Sequence, residues 1–187
     1  EIEESTETNI KDIIRQAIYK ANEKIIEMAE RDSKLEGMGT TLVVATIVHN
    51  MIYFANVGDS RLYLINHTIT QLTKDHSLVE EMVRLGESSR RRQGIIRIRI
   101  LLRVQSEQKR EWNQIFRTQS EKGDIILMCS DGLSNMIEDE EIFQIVKSGR
   151  DVVEITEDLI ETANENGGKD NIGVVVIEPL ADEVSIC

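Results

Sequence analysis

Residues 40–66, "TTLVVATIVHNMIYFANVGDSRLYLIN", decide the fold. The first nine are β-branched and almost wholly apolar, the composition of a strand buried on both faces. "HN" at 49–50 is a turn signal, and "MIYFANVG" and "DSRLYLIN" read as two further strands. "HTITQLT" continues as a hairpin-like fourth. Turns this short leave no room for a crossover, so consecutive strands pair antiparallel.

Working outward, the apolar positions Ile10, Ile13, Ile14, Ala17, Ile18, Ala21, Ile25 and Met28 recur at helical spacing. They predict one amphipathic helix over 9–31, capped near Thr8 or Asn9 and closed by the glycines of "KLEGMG". "SLVEEMVRLGE" (77–87) carries a capping-box pattern, with Ser77 and Glu80, and reads as a short helix. "GDIILMCSDGL" (123–133) is a buried strand that breaks at Ser130. Residues 139–149 and 151–168 are two helices ending in glycine, and "NIGVVVIE" is the last strand. The order is α+β, with helices on antiparallel sheets, and it predicts one domain over 1–180 with a tail at 181–187.

The chain has 187 residues, 40% hydrophobic and 30% charged, enough for one soluble domain with a substantial core. A net charge of -12 speaks against nucleic acid as a partner. It suits a collector of divalent cations as well as plain solubility. No apolar run approaches the roughly 20 residues that span a bilayer, and no signal peptide is visible in "EIEEST". Two cysteines, Cys129 and Cys187, make no disulfide framework and fit a reducing compartment. A cytoplasmic protein that engages no membrane is the expectation.

Three aspartates stand at strand ends beside small residues: Asp59 in "VGDSR", Asp131 in "CSDGL" and Asp170 in "GKDN". Carboxylates beside buried strands are costly unless paired or metal-bound. Hard cations such as Mg²⁺ and Mn²⁺ take oxygen ligands and keep several waters. For each aspartate taken singly, starting a turn or capping a helix serves as well.

Together the motifs carry a resemblance. "EGMGTTLVVATIVHNMIYFANVGDSRLYLI", "LTKDHSLVEEMVRLGE", "GDIILMCSDGLSNMI" and "NGGKDNIGVVVIE" resemble, in order and spacing, the metal-dependent serine/threonine protein phosphatases of type 2C, in their small bacterial form. The resemblance covers about residues 36–87 and 122–178. It implies a sandwich of two antiparallel sheets flanked by helices, with a Mn²⁺ or Mg²⁺ pair at one end. It implies that Asp131 and Asp170 ligate metal and that Asp59 serves a third, looser ion. His76, Gly132 and Asn171 would be rim or support, Arg61 would pair with a carboxylate, and Cys129 would be core. No side chain is expected as nucleophile. A metal-bound water would attack phosphorus in phosphoserine or phosphothreonine of a kinase's protein targets, with the enzyme a monomer.

Two departures qualify that expectation. The family's early aspartate motif, which bridges both ions, has no counterpart before Asn9, so the domain reads as incomplete at its N-terminus. Residues 88–122 hold eight Arg and two Lys against three Glu, where the family carries a different motif. Three readings stay open for this basic segment: a compensated reading-frame shift, a patch for a phosphorylated or acidic partner, or an exposed loop. Ile-Arg alternation is what ATA-AGA codons produce, and displaced by two bases they yield the Asn and Lys of the family motif. The alternatives to an active enzyme are a catalytically impaired remnant that binds a phosphoprotein or kinase without turnover, and an unrelated oxygen-ligand metal protein.

Overall fold

The computed structural model describes residues 2–76 and 115–179, with side chains from residue 8 onward. The expected helix at 77–87 and most of the basic segment lie outside the described residues. Of those described, 2–46, 53–58, 76 and 115–117 fall in one compact unit, and 47–52, 59–75 and 118–179 in a second.

Helix α1 runs Ile2–Arg31, seven residues earlier than the expected cap at Asn9. No Gly or Pro occurs in residues 1–31, so nothing in the sequence stops the helix from propagating back through the acidic start. It ends without using the downstream glycines. Asp32 instead caps a single 3₁₀ turn, Ser33–Leu35, its side chain accepting from the Lys34 N–H at 2.9 Å.

Seven strands form two antiparallel sheets among the described residues. The first has the order β1 (Leu42–Val48), β2 (Met51–Val57), β5 (Phe116–Gln119). The β1–β2 turn is His49–Asn50, both at positive φ (49° and 60°), the pair of left-handed residues that a two-residue hairpin turn requires. β1 is a correction to the sequence reading. It is half-buried along its length, not buried on both faces, because it lies at the margin of this sheet; β2 is the buried strand. β5 is a further correction, since a strand starts within the segment set aside as atypical. Its Phe116 stacks on Phe54 of β2 with ring centroids 5.6 Å apart.

The second sheet has the order β4 (Ile69–Gln71), β3 (Arg61–Ile65), β6 (Ile125–Cys129), β7 (Val174–Ile177). β3 pairs with β6 from Arg61↔Cys129 to Ile65↔Ile125, and β6 pairs with β7 from Cys129↔Val174 to Ile126↔Ile177. Strand period sends Tyr63, Ile65, Leu127 and Cys129 to one face. There they meet the buried sides of three helices: α2 (Asp131–Ser134), α3 (Asp139–Val146) and α4 (Val152–Glu165). Leu133, Ile142, Val146, Ile155, Leu159 and Ala163 close this core. α4 is fixed at both ends. Asp151 and Glu154 form a reciprocal capping box. At the other end Gly168 N–H donates to the Ala163 carbonyl (3.1 Å) and Gly167 N–H to that of Asn164 (3.0 Å). That is a Schellman turn, with both glycines at positive φ. It throws residues 169–173 back toward the end of β6.

Among the described residues no helix is long and apolar enough to cross a membrane.

Candidate metal centre

Ser130 follows the last residue of β6, and its N–H donates to the Gly173 carbonyl at 2.9 Å, one step beyond the final β6–β7 pair. A serine before a helix ordinarily caps it, but Ser130 makes no such bond to α2. Its hydroxyl donates to the Asn171 carbonyl (3.0 Å) and accepts the Gly173 N–H (2.8 Å). Three hydrogen bonds thus sew the start of "SDG" to Asn171 and Gly173, at and just after the end of "GKDN".

Gly132 makes the contact closer still. A Cβ built there would lie 2.3 Å from the Asn171 carbonyl oxygen and 3.3 Å from that of Asp170. The backbone of Asp170–Asn171 passes where any side chain at 132 would be. The loops of Asp131 and Asp170, 39 positions apart in the chain, are therefore in direct contact. Asp131 opens α2 half-buried, and its Oδ2 accepts from the Asn135 side chain at 3.4 Å. Asp170 is exposed, with Oδ1 accepting the Asn171 N–H at 2.8 Å.

Asp59 is exposed in the turn after β2. Among the described residues no group of three or more His, Cys, Asp or Glu is disposed to hold one ion. Asp131, Asp170 and Asp59 are thus not gathered into a single set of three. The donors that the contact does offer are hard oxygens on two loops. They fit a cation such as Mn²⁺ or Mg²⁺, which binds through one or two carboxylates and keeps water on its other positions.

His76 is held at Gly58, the residue before Asp59. Its Nδ1 accepts the Gly58 N–H at 3.2 Å, and its backbone N–H donates to the Gly58 carbonyl at 3.0 Å. An Nδ1 that accepts leaves the imidazole proton on Nε2. Gly58 itself sits at φ +102°, and a Cβ there would stand 2.6 Å from Thr41 Cγ2.

Arg61 pairs with Asp75. Its Nε lies 3.1 Å and its Nη2 2.8 Å from Asp75 Oδ2, a forked contact. Nη1 donates to the Tyr63 hydroxyl (3.0 Å), which donates in turn to Asp139 at the start of α3 (3.0 Å). The side chain of Gln71 completes the cluster on Asp75 (2.9 Å). The bond to Asp75 leads the effects that raise the Arg61 pKa still further above its ordinary range. Burial, partly offset by Arg61, holds the Tyr63 hydroxyl well above the usual phenol range. Burial likewise pushes the Cys129 thiol up to about 12, so it carries almost no thiolate near neutral pH and is no nucleophile.

Sequence reasoning missed Ser130 as a link and the Tyr63–Asp139 contact. A serine opposite a glycine at the mouth of two paired strands was the only available hint for the first. Nothing in the spacing of residues 63 and 139 announced the second.

Two glycine-bearing loops in contact, each carrying an aspartate, offer the oxygen donors that a hard cation takes. Comparison with known proteins narrows the class. Residues 1–175 match the family described as protein phosphatase 2C. Serine/threonine phosphatase Stp of Listeria monocytogenes is 41% identical over 175 residues, which is 92% of this chain and 69% of Stp. Protein phosphatase PhpP of Streptococcus pneumoniae is 39% identical over 158 residues, 83% of this chain and 64% of PhpP. Among solved structures, the serine/threonine phosphatase of S. agalactiae superposes with a TM-score of 0.71 at 32% identity, covering 90% of this chain and 70% of that one. The catalytic domain of PstP, in complex with two manganese ions, gives 0.66 at 35% identity, covering 83% and 65%. This chain belongs to the type 2C protein phosphatase family and is by family a hydrolase, a serine/threonine phosphatase with metal-dependent chemistry.

Proposed function

We propose that Asp131 and Asp170 hold the divalent cations of this phosphatase, Mn²⁺ or Mg²⁺, and that Asp59 serves a further, looser ion. Asn171 and Gly132 support the two loops, and His76 supports the turn at Asp59. Bound there, such ions supply an acidified water at neutral pH and neutralise phosphate charge. The chain's own part is positional: α2 and the Schellman turn of α4 carry the two loops whose backbones touch at Gly132 and Asp170–Asn171, and no side-chain nucleophile is needed. The substrates are phosphoserine and phosphothreonine in protein targets of a kinase, met in the cytoplasm by a monomer that binds neither nucleic acid nor membrane.

The observation that carries this reading is the backbone contact of Gly132 with Asp170–Asn171. Its test is hydrolysis of p-nitrophenyl phosphate and of a phosphothreonine peptide, with Mn²⁺ and with EDTA. Turnover that needs the metal and vanishes in Asp131→Asn supports it. Turnover indifferent to EDTA, or unchanged in Asp131→Asn, overturns it.

A second reading is favoured by one observation: no three-carboxylate group occurs among the described residues. A chain that binds a phosphopeptide without hydrolysing it in Mn²⁺ would be the non-catalytic remnant.

A further inference from the structure

We infer that Ser130 is a positioning residue, whose hydroxyl sets the distance between the Asp131 and Asp170 loops and so the affinity for the cation. The inference rests on the metal reading above and adds a residue to it. Three observations support it. The hydroxyl is placed as a helix cap but is spent elsewhere, on the Asn171 carbonyl and the Gly173 N–H. Those two bonds lie beyond the last strand pair, Cys129↔Val174, so the sheet holds without them. Both start on the residue before Asp131 and one ends on the residue after Asp170, where a small shift moves both loops. Asn171 and Gly173 are exposed, so water can take the place of a missing hydroxyl. Its loss therefore costs little fold stability and shows instead in where the loops rest.

The experiment compares the full 187-residue chain with Ser130→Ala and Ser130→Thr. Mn²⁺ binding is followed by calorimetry, and amide hydrogen exchange at Gly173 is measured in the metal-free protein. Groups that orient ligands without touching the metal are typically worth roughly ten- to a hundredfold in its affinity. Ser130→Ala is expected to weaken Mn²⁺ by that factor and to speed Gly173 exchange, with a melting curve close to that of the parent. Ser130→Thr keeps a hydroxyl on an extended backbone that suits it and is expected to restore both. Parent-like Mn²⁺ affinity in Ser130→Ala overturns the inference, as does a Ser130→Thr chain no better than Ser130→Ala. Asp131→Asn and Asp170→Asn tell the two levels apart. If they abolish binding while Ser130→Ala does not weaken it, only the positioning role falls. If the parent binds no Mn²⁺, or binds it as well after both changes, the metal reading fails and this inference with it.

Discussion

Two turns in this molecule place a glycine beside an aspartate, and they need the glycine for different reasons. At Gly58, before Asp59, the backbone is left-handed (φ +102°) and Thr41 Cγ2 would stand 2.6 Å from a Cβ. At Gly132, after Asp131, the backbone is helical and welcomes alanine. Only the Asn171 carbonyl, 2.3 Å from where a Cβ would be, forbids it. The first glycine satisfies a backbone constraint of its own besides a crowded neighbour, whereas the second only keeps open a meeting of distant segments. Damage at the first should appear as lost stability, and at the second as lost function.

Gly58→Ala offers the largest effect. A non-glycine residue forced to positive φ costs about 1–3 kcal/mol, and overpacking adds typically about 1–3 kcal/mol. A loss of about 3 kcal/mol is expected, read as a fall in the urea midpoint at unchanged slope. Thr41→Ser removes Cγ2 but leaves Thr41 Cβ at 2.9 Å, so it should recover part of the crowding share and none of the backbone share. Full recovery in the double variant would mean that φ costs nothing here, and the contrast with Gly132 would vanish.

Gly132→Ala comes next. The obstacle is backbone, so no side chain can rotate aside, yet Asp170 and Asn171 are exposed and can shift outward. A displacement near 1 Å at a reacting centre is worth about 10²-fold in rate. Phosphatase turnover should fall by about that factor, while stability falls by only about 1 kcal/mol. Equal losses from Gly58→Ala and Gly132→Ala in both assays would break the division of labour.

These two glycines also show what could be read in advance. The hairpin at His49–Asn50, the break of β6 at Ser130 and the closure of α4 at Gly167–Gly168 were all legible, because turns and caps depend on local backbone chemistry. The tie between Arg61 and a carboxylate was foreseen without naming Asp75. The margin position of β1 was not, since an apolar strand looks alike at the edge and centre of a sheet until its neighbours are known. Nor was the start of α1, because a helix without a stop signal has no sequence-defined beginning. Gly132 is rim or support by resemblance, but the segment it makes room for, and the link through Ser130, are tertiary facts. The loops of Asp131 and Asp170, which the resemblance singles out, adjoin through the backbone.

Arg61→Ala sharpens the contrast from the stability side. Asp75 stands next to His76 in the chain, and His76 is bonded to Gly58. The pair is partly exposed, with about a quarter of each side chain's surface open (23% and 31%), so solvent screening lowers its worth. Hydrogen bonds to charged groups run about 1.5–3 kcal/mol, and the lower end, about 1.5 kcal/mol, is expected from denaturant melts. Because the Arg61 pKa is raised, its contribution is fully present below its already high unfolded value. The difference between Arg61→Ala and the parent should therefore be flat in pH across the arginine-charged range. A difference that grows between pH 7 and 9 would point to another group.

The smallest effect belongs to Cys129, the last residue of β6 before Ser130. Its thiol is held protonated by burial, at about 12 against an ordinary 9.0. A raised folded pKa means that the stability is fully present below pH 9 and is lost as pH climbs from there toward 12, since the unfolded thiol gives up its proton first. The slope is at most about 1.4 kcal/mol per pH unit, so the loss between pH 9 and 10 is about 1 kcal/mol. Tyr63, raised by burial as well, adds to it above its ordinary range. Cys129→Ala removes the thiol's share and should flatten the fall in melting temperature between pH 9 and 10 while lowering the whole curve through the cavity it leaves. At pH 8 the native thiol should ignore a disulfide reagent that labels it once urea unfolds the chain. Rapid native labelling would mean that the end of β6 opens readily. The Ser130 junction would then be the mobile partner of the pair, and the rigid presentation of Asp131 would be lost with it.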